Sequence, residues 1–149
     1  MSVVGIDPGS SKTSGIAALS YAGVVLMAEA FASDMTVTEL TALFQRALAF
    51  NPHSVFLEKV GHKRGDGARG SFTFGGAARG VEFMLYGMGV KPKYVHSTFW
   101  QARLECLSGG NKSVTLRRAK ELFGDQVKVT HGIADALLIA EYGRRCLLA

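Results

Sequence analysis

The chain opens on a short apolar run, Val3-Val4-Gly5-Ile6, which delivers one carboxylate, Asp7, and is cut off by Pro8-Gly9. The run is too short for a helix and rich in β-branched residues, so it predicts a buried strand that ends at the Pro-Gly turn. Gly15 to Ala18 and Val24 to Ala28 read as two further strands, with Tyr21-Ala22-Gly23 as the hairpin turn between them. A three-stranded antiparallel meander therefore begins the fold. Thr36-Val37-Thr38-Glu39 offers a capping box. Leu40, Leu43, Phe44, Ala47 and Leu48 then fall on one apolar stripe of a helix, which Asn51-Pro52 stops.

A return strand follows at Ser54–Val60, and then Gly61 to Gly70, a basic loop with four glycines. Phe72 to Tyr86 reads as a helix despite Gly75, Gly76 and Gly80. Gly76 and Gly80 share a face, which permits close packing against the sheet or against a second subunit. Lys93-Tyr94-Val95 reads as the fifth strand. Ser97 can cap a helix whose buried stripe is Trp100, Leu104 and Leu107, with Trp100 a core residue. Ser108 to Asn111 is a loop, and Lys112 to Phe123 a helix ended by Gly124. The last element, His131 to Ala140, is apolar almost all round and reads as a buried helix. The element order is β-β-β-α-β-α-β-α-α, an α/β chain.

Composition narrows the class. With 149 residues, 48% of them hydrophobic and 19% charged, residues 1–149 make one ordinary globular domain. There is no apolar run of about 18 residues, so no membrane span is expected. The start, Met-Ser-Val-Val, lacks a basic region and an apolar signal core, which argues against secretion. Cys106 and Cys146 are too few for a disulfide framework or a cysteine zinc site, and fit a reducing cytoplasm. Up to Glu58, two basic residues face five acids, a net −3; from Lys59 onward fifteen face seven, a net +8. That asymmetry points to a polyanion-binding surface built by the second part of the chain, against the plainer reading of a generally basic protein.

Three carboxylates stand where charge is costly. Asp7 sits at the mouth of the first strand, where it either caps the turn or meets a cation, because buried charge must be paired or bound to metal. Glu58 lies within an apolar strand that disfavours it by propensity and burial. It is either salt-bridged to a core arginine or a metal ligand beside Asp7. Asp135 is the one charged residue between His131 and Ala140. His131, one turn earlier on the same face, is a candidate ligand or a structural histidine. The loop carries His62, Lys63, Arg64 and Arg69 and emerges from the Glu58 strand, so it would overhang the same place and meet phosphates, unless it is simply solvated. Lys112 follows a glycine turn at a helix N-terminus, an arrangement suited to phosphate. Arg117, Arg118 and Lys120 read as a solvated face. The chain shows no Ser-His-Asp or Cys-His signature for covalent catalysis.

The element order, with acids on strands one and four and on the last helix, resembles the ribonuclease-H-like superfamily. More narrowly, Gly5-Ile6-Asp7-Pro8-Gly9, Leu57-Glu58-Lys59, Gly76-Ala77-Ala78-Arg79-Gly80 and Ala134-Asp135-Ala136-Leu137 resemble the RuvC family of Holliday-junction resolvases. The similarity spans nearly the whole chain in order. It implies a five-stranded mixed sheet with helices on both faces, and a crossover junction endodeoxyribonuclease acting as a homodimer on branched DNA. Carried over, Asp7 would bridge two metal ions, Mg²⁺ or Mn²⁺, while Glu58 completes one site and Asp135 the other. Lys112 falls where the family places a phosphate-contacting lysine. The family usually has an acid or histidine three residues before the final aspartate; here that position is Gly132, and His131 stands one residue earlier. Lys59, Lys63, Arg64, Arg69 and Arg79, with Phe72 and Phe74, form the candidate nucleic-acid-binding set. Phe74, Val81 and Leu85 also give the helix from Phe72 to Tyr86 apolar area for a dimer contact. The compact length looks like the phage and prophage branch, acting in the cytoplasm of a bacterial or phage-infected cell.

The chemistry agrees with that set, since two hard cations held by carboxylates and an imidazole suit phosphodiester hydrolysis, leaving 5′-phosphate and 3′-hydroxyl ends. Two rivals remain open. Asp7-Pro8-Gly9-Ser10-Ser11-Lys12-Thr13 also resembles the phosphate loop of actin-like ATPases and sugar kinases, which need two such domains. The other is a related nuclease acting on RNA or other branched DNA, or a non-catalytic DNA-structure binder.

Overall fold

Residues Ser2–Asp7 form the central strand, β1, because Val3 on one face and Val4 and Ile6 on the other all lose their solvent contact completely. The computed structural model describes residues 1–9, 14–32, 34–59 and 68–149, with the backbone alone over 68–77. Around β1 lie β2 (Ser14–Ser20), β3 (Val25–Phe31), β4 (Pro52–Glu58) and β5 (Lys93–Val95), in the sheet order β3-β2-β1-β4-β5. The meander β1-β2-β3 is antiparallel, whereas β4 and β5 add in parallel on the other side of β1. Parallel addition requires a crossover, supplied by α1 (Val37–Leu48) before β4 and α2 (Ala68–Gly87) before β5. Three further helices complete the chain: α3 (Ser97–Arg103), α4 (Lys112–Phe123) and α5 (His131–Leu148). The mixed sheet with helices on both faces is as expected.

Side-chain alternation divides the core into two layers. Val4, Ile6, Ile16, Ala18 and Leu57 face α1 and α2, where Phe44, Val81 and Leu85 meet them. Val3, Ala17, Leu19, Phe56 and Val95 face α5 and its neighbours, with Trp100, Leu104, Phe123 and Leu137. The helix α5 lies on the sheet with almost nothing between the two backbones. A Cβ at Gly5 would come within 3.0 Å of backbone atoms of Ala136 and Ala140, and one at Gly15 would strike the Gly132 carbonyl. At the other end, a Cβ at Gly143 would meet the Phe56 ring at 2.5 Å.

Local signals behave as the chain predicts at several points. Thr36 and Glu39 form the reciprocal capping box, with Glu39 N–H donating to Thr36 Oγ1 at 3.2 Å and Thr36 N–H to Glu39 Oε2 at 2.8 Å. Gly23 takes φ +84° at the hairpin turn, and Asn51 takes φ +52° where α1 gives way to β4. Four expectations need correction. Leu107 is 62% exposed, because α3 ends at Arg103 and the apolar stripe does not continue past Leu104. The cap position of α3 is His96, and Ser97 is its first helical residue. Arg118 is no solvated-face residue: its Nε–H donates to the Leu104 carbonyl at 2.8 Å and fastens α4 to the end of α3. Gly80 does not pack closely on the sheet, since a Cβ there would meet nothing within 4 Å among the described residues.

The far end of α5 carries a buried charge cluster. Glu141, 3% exposed, accepts from Arg144 Nε–H at 2.7 Å and from Arg145 Nε–H at 2.7 Å, while Arg144 Nη1–H donates to the Tyr21 carbonyl at 3.0 Å. Burial opposes ionisation of Glu141, but the two arginines outweigh it and hold its carboxyl below the ordinary value.

Two stability outcomes follow from these contacts, both read by chemical or thermal unfolding. Gly5→Ala should cost about 3 kcal/mol or more, because neither backbone can move away, whereas Gly80→Ala should gain about 0.5–1 kcal/mol through helix propensity. Equal effects at the two positions would contradict the seating of α5. Glu141→Gln should cost about 2 kcal/mol, less than a fully enclosed pair because both arginines reach water. A lowered folded pKa means that the Glu141 contribution is complete above the ordinary carboxylate range and is lost as pH falls through the folded value. The variant should therefore lose stability less steeply in acid than the native protein.

Candidate active site

Asp7 ends β1, and Glu58 ends β4, the parallel neighbour of β1. The register sets Ile6 against Leu57, so the two carboxylates leave the sheet side by side at its carboxyl end. Alternation puts Asp7 on the same face as Val3, and Glu58 on the same face as Phe56, which is the α5 face for both. Asp7 is also opposite Gly15, the residue over which Gly132 and Ala136 of α5 rest. Asp135 lies between those two positions on the first turns of α5. The fold thus brings Asp7, Glu58 and Asp135 from three separate elements to one edge.

Ser14 helps shape that edge. Its buried Oγ–H donates to the Gly9 carbonyl at 3.0 Å and ties the start of β2 to the backbone two residues after Asp7. Asp135 Oδ1 is buried. Near it, burial pushes the Cys106 thiol up to about 11, with Arg118 opposing and the Asp135 and Glu121 charges adding to the rise. Glu58 accepts a hydrogen bond from Trp100 Nε1–H at 2.7 Å. The apolar spacing of Trp100 marks it as core alone and does not announce that partner. The only signal available was an indole N–H in a buried stripe, which must find an acceptor somewhere.

The donor chemistry suits a hard cation, because all three groups supply carboxylate oxygen at one place. Among the described residues, no three His, Cys, Asp or Glu side chains are grouped as tightly as the ligands of a metal ion. The acids share an edge and do not form a finished cage. His131 is exposed as the first residue of α5, one turn before Asp135. Lys112 is exposed as the first residue of α4, after a turn in which Gly109 and Gly110 take φ +57° and +93°.

Beside Glu58, a cavity of about 390 Å³ is lined by Lys59, Arg79, Glu82 and Tyr94, among others. Lys59 is exposed, and its N–H donates to the Val95 carbonyl at 2.7 Å. Arg79 Nη1 pairs with Glu82 Oε2 at 2.9 Å, and the Tyr94 hydroxyl donates to the same carboxylate. Tyr94 and Arg79 hold the Glu82 carboxyl below its ordinary value against the effect of burial. Lys63 and Arg64 lie outside the described residues, as do the side chains of Arg69, Phe72 and Phe74.

A second, apolar cavity of about 500 Å³ opens between α1 and α2, with Met35, Leu40, Phe83 and Met84 in its wall and Pro8 and Gly9 at its end. The expectation that Val81 and Leu85 offer contact area to a second subunit is corrected here. Both are buried in the chain's own core, at 3% and 1% exposure. Their i, i+4 spacing marks the inward face of α2, whereas Phe83 and Tyr86 stand outward.

No family model matches the chain, and no curated protein matches it in sequence. Solved structures do share its fold. RuvC of T. thermophilus in complex with Holliday junction substrate superimposes with a TM-score of 0.72 at 20% identity, over 100% of this chain and 96% of that one. A second Thermus thermophilus RuvC structure gives 0.66 at 20% identity, over 99% and 96% of the two chains. Fowlpox virus resolvase, in complex with substrate Holliday junction DNA, gives 0.53 at 16% identity, over 97% and 99%. At these identities the likeness is one of fold.

Proposed function

We propose that the protein is a metal-dependent endonuclease that resolves four-way DNA junctions by paired, symmetric phosphodiester hydrolysis. The observation that carries this reading is the meeting of Asp7, Glu58 and Asp135 at one sheet edge. Support comes from the fold shared with a RuvC bound to its Holliday junction substrate. Mg²⁺ or Mn²⁺, two ions in this reading, would be held by Asp7, Glu58 and Asp135, with His131 as a further ligand. When bound, such ions supply water activation and charge neutralisation at the departing 3′ oxygen.

The chain's own groups do the rest. Lys112 extends from the first turn of α4, where its charge and the helix N-terminus favour a phosphate. Lys59, Lys63, Arg64, Arg69 and Arg79, with Phe72 and Phe74, would hold the DNA near the acids, the cations on phosphates and the rings on unstacked bases. Hydrolysis would leave 5′-phosphate and 3′-hydroxyl ends. Residues 1–149 act as a single nuclease domain in this reading, in the cytoplasm where the DNA lies. Resolving a junction needs one cut in each of two strands, so a two-fold homodimer fits the two-fold symmetry of the substrate. The apolar cavity between α1 and α2, with Phe83 at 68% and Val37 at 75% exposure beside it, is the surface for that contact.

Asp7→Asn, Glu58→Gln and Asp135→Asn should each abolish cleavage of a labelled four-way junction while binding in a gel-shift assay persists. Chelation by EDTA should stop the native enzyme, and Mg²⁺ or Mn²⁺ should restore it. The three variants should melt no lower than the native protein without metal, since each relieves repulsion among like charges. Asp135→Asn cutting at the native rate would remove the proposed site.

Phe83→Glu should convert a dimer into a monomer by light scattering without lowering the melting temperature, because Phe83 contributes little to the chain's own core. On a supercoiled cruciform plasmid the native protein should give linear product directly, and the variant should accumulate nicked circles. A native protein that is monomeric and only nicks would leave a structure-dependent nickase instead of a resolvase.

A further inference from the structure

Trp100 is the chain's single tryptophan, 1% exposed, and its Nε1–H reaches Glu58 Oε2 across 42 positions of sequence. The topology explains the meeting. In β5, Val95 pairs directly with Glu58, and α3 begins two residues later at Ser97, so its first turn lies against the end of β4. The indole ring belongs to the buried α5-side core, together with Val95, Leu104, Ala119 and Leu137. An indole nitrogen can donate and never accept, so it suits a carboxylate and repels a cation. The donor cannot swing away, because the core that holds it is close-packed.

We propose that Trp100 is a positioning residue for the acidic edge: its N–H fixes one oxygen of Glu58, so that an arriving divalent cation meets one carboxylate orientation. The assignment rests on the metal-nuclease reading given above. Groups that orient a metal ligand in this way carry tenfold to hundredfold effects on affinity when removed. Because the chain holds one tryptophan, the same bond makes the indole a spectroscopic reporter of what happens at Glu58.

The test needs two measurements. Trp100→Phe keeps an aromatic ring and removes the donor. Its Mn²⁺ affinity by calorimetry should fall about tenfold, with circular dichroism native and melting lowered only by the cost of the smaller ring in the core. Because a core substitution can also damage the fold, the second measurement uses the native protein. Its one indole N–H resonance should be protected from solvent exchange and should move on addition of Mg²⁺. In Glu58→Gln that response to Mg²⁺ should disappear. A folded Trp100→Phe protein with native Mn²⁺ affinity, or a native indole resonance that ignores saturating Mg²⁺, would overturn the assignment. A native protein whose indole responds to Mg²⁺ but which leaves four-way junctions uncut would refute the resolvase reading and leave Trp100 in its positioning role.

Discussion

The structure depends on one close approach, that of α5 to the bare backbone of β1 and β2. Gly5 and Gly15 have no side chain to hold the helix off, and Gly132 and Ala136 have little to add from above. A helix normally stands on a layer of side chains over a sheet. Here the layer is missing along one line, and the first turns of α5 rest on the backbone at Gly15, the residue paired with Asp7. Hydrophobic burial along Ile133, Leu137 and Ile139 supplies the driving force, but the glycines decide the height and the angle. That seating carries the first turns of α5, and Asp135 with them, to the sheet edge where Asp7 ends β1.

Much of this could be read in the chain. The order of the elements, the capping box, the bounds of α4 and the three acids in apolar surroundings all rest on local signals, which report how each residue faces its own immediate surroundings. What escaped was partner choice between distant segments. The spacing of Trp100 and Leu104 declares an inward face and is silent about a carboxylate 42 residues earlier. Arg118 looks like a surface cation in a helix with Arg117 and Lys120, and only the end of α3 beside it turns the side chain inward. Val81 and Leu85 are apolar enough to offer contact area to a partner, but the sheet claims them. Gly80 draws attention as one of two small residues four apart, yet among the described residues the glycines that carry packing are Gly5 and Gly15 in the strands and Gly132 and Gly143 in α5.

Charge is distributed in a way that fits the shared edge. The first part of the chain, with its net −3, supplies two of the acids, and the basic part from Lys59 onward supplies the surroundings and the third. Several of those basic groups are already engaged. Arg79 is drawn to Glu82, and Arg144 and Arg145 to Glu141, so the net charge overstates the cations available to an anionic ligand.

The central place of α5 has a consequence for how the chain comes into being. Every strand precedes it in order of synthesis, and β1 waits more than 120 residues for the helix that covers Val3 and Gly5. Until that helix arrives, much of one face of the sheet lacks its cover, so folding ends on a late, long-range step slowed by loop closure. Asp7 and Glu58 can pair up early, through β1 and β4, but Asp135 joins only when α5 docks. A nascent chain halted before residue 131 therefore holds two of the three acids and an open apolar face, a substrate for chaperones with no assembled acidic edge.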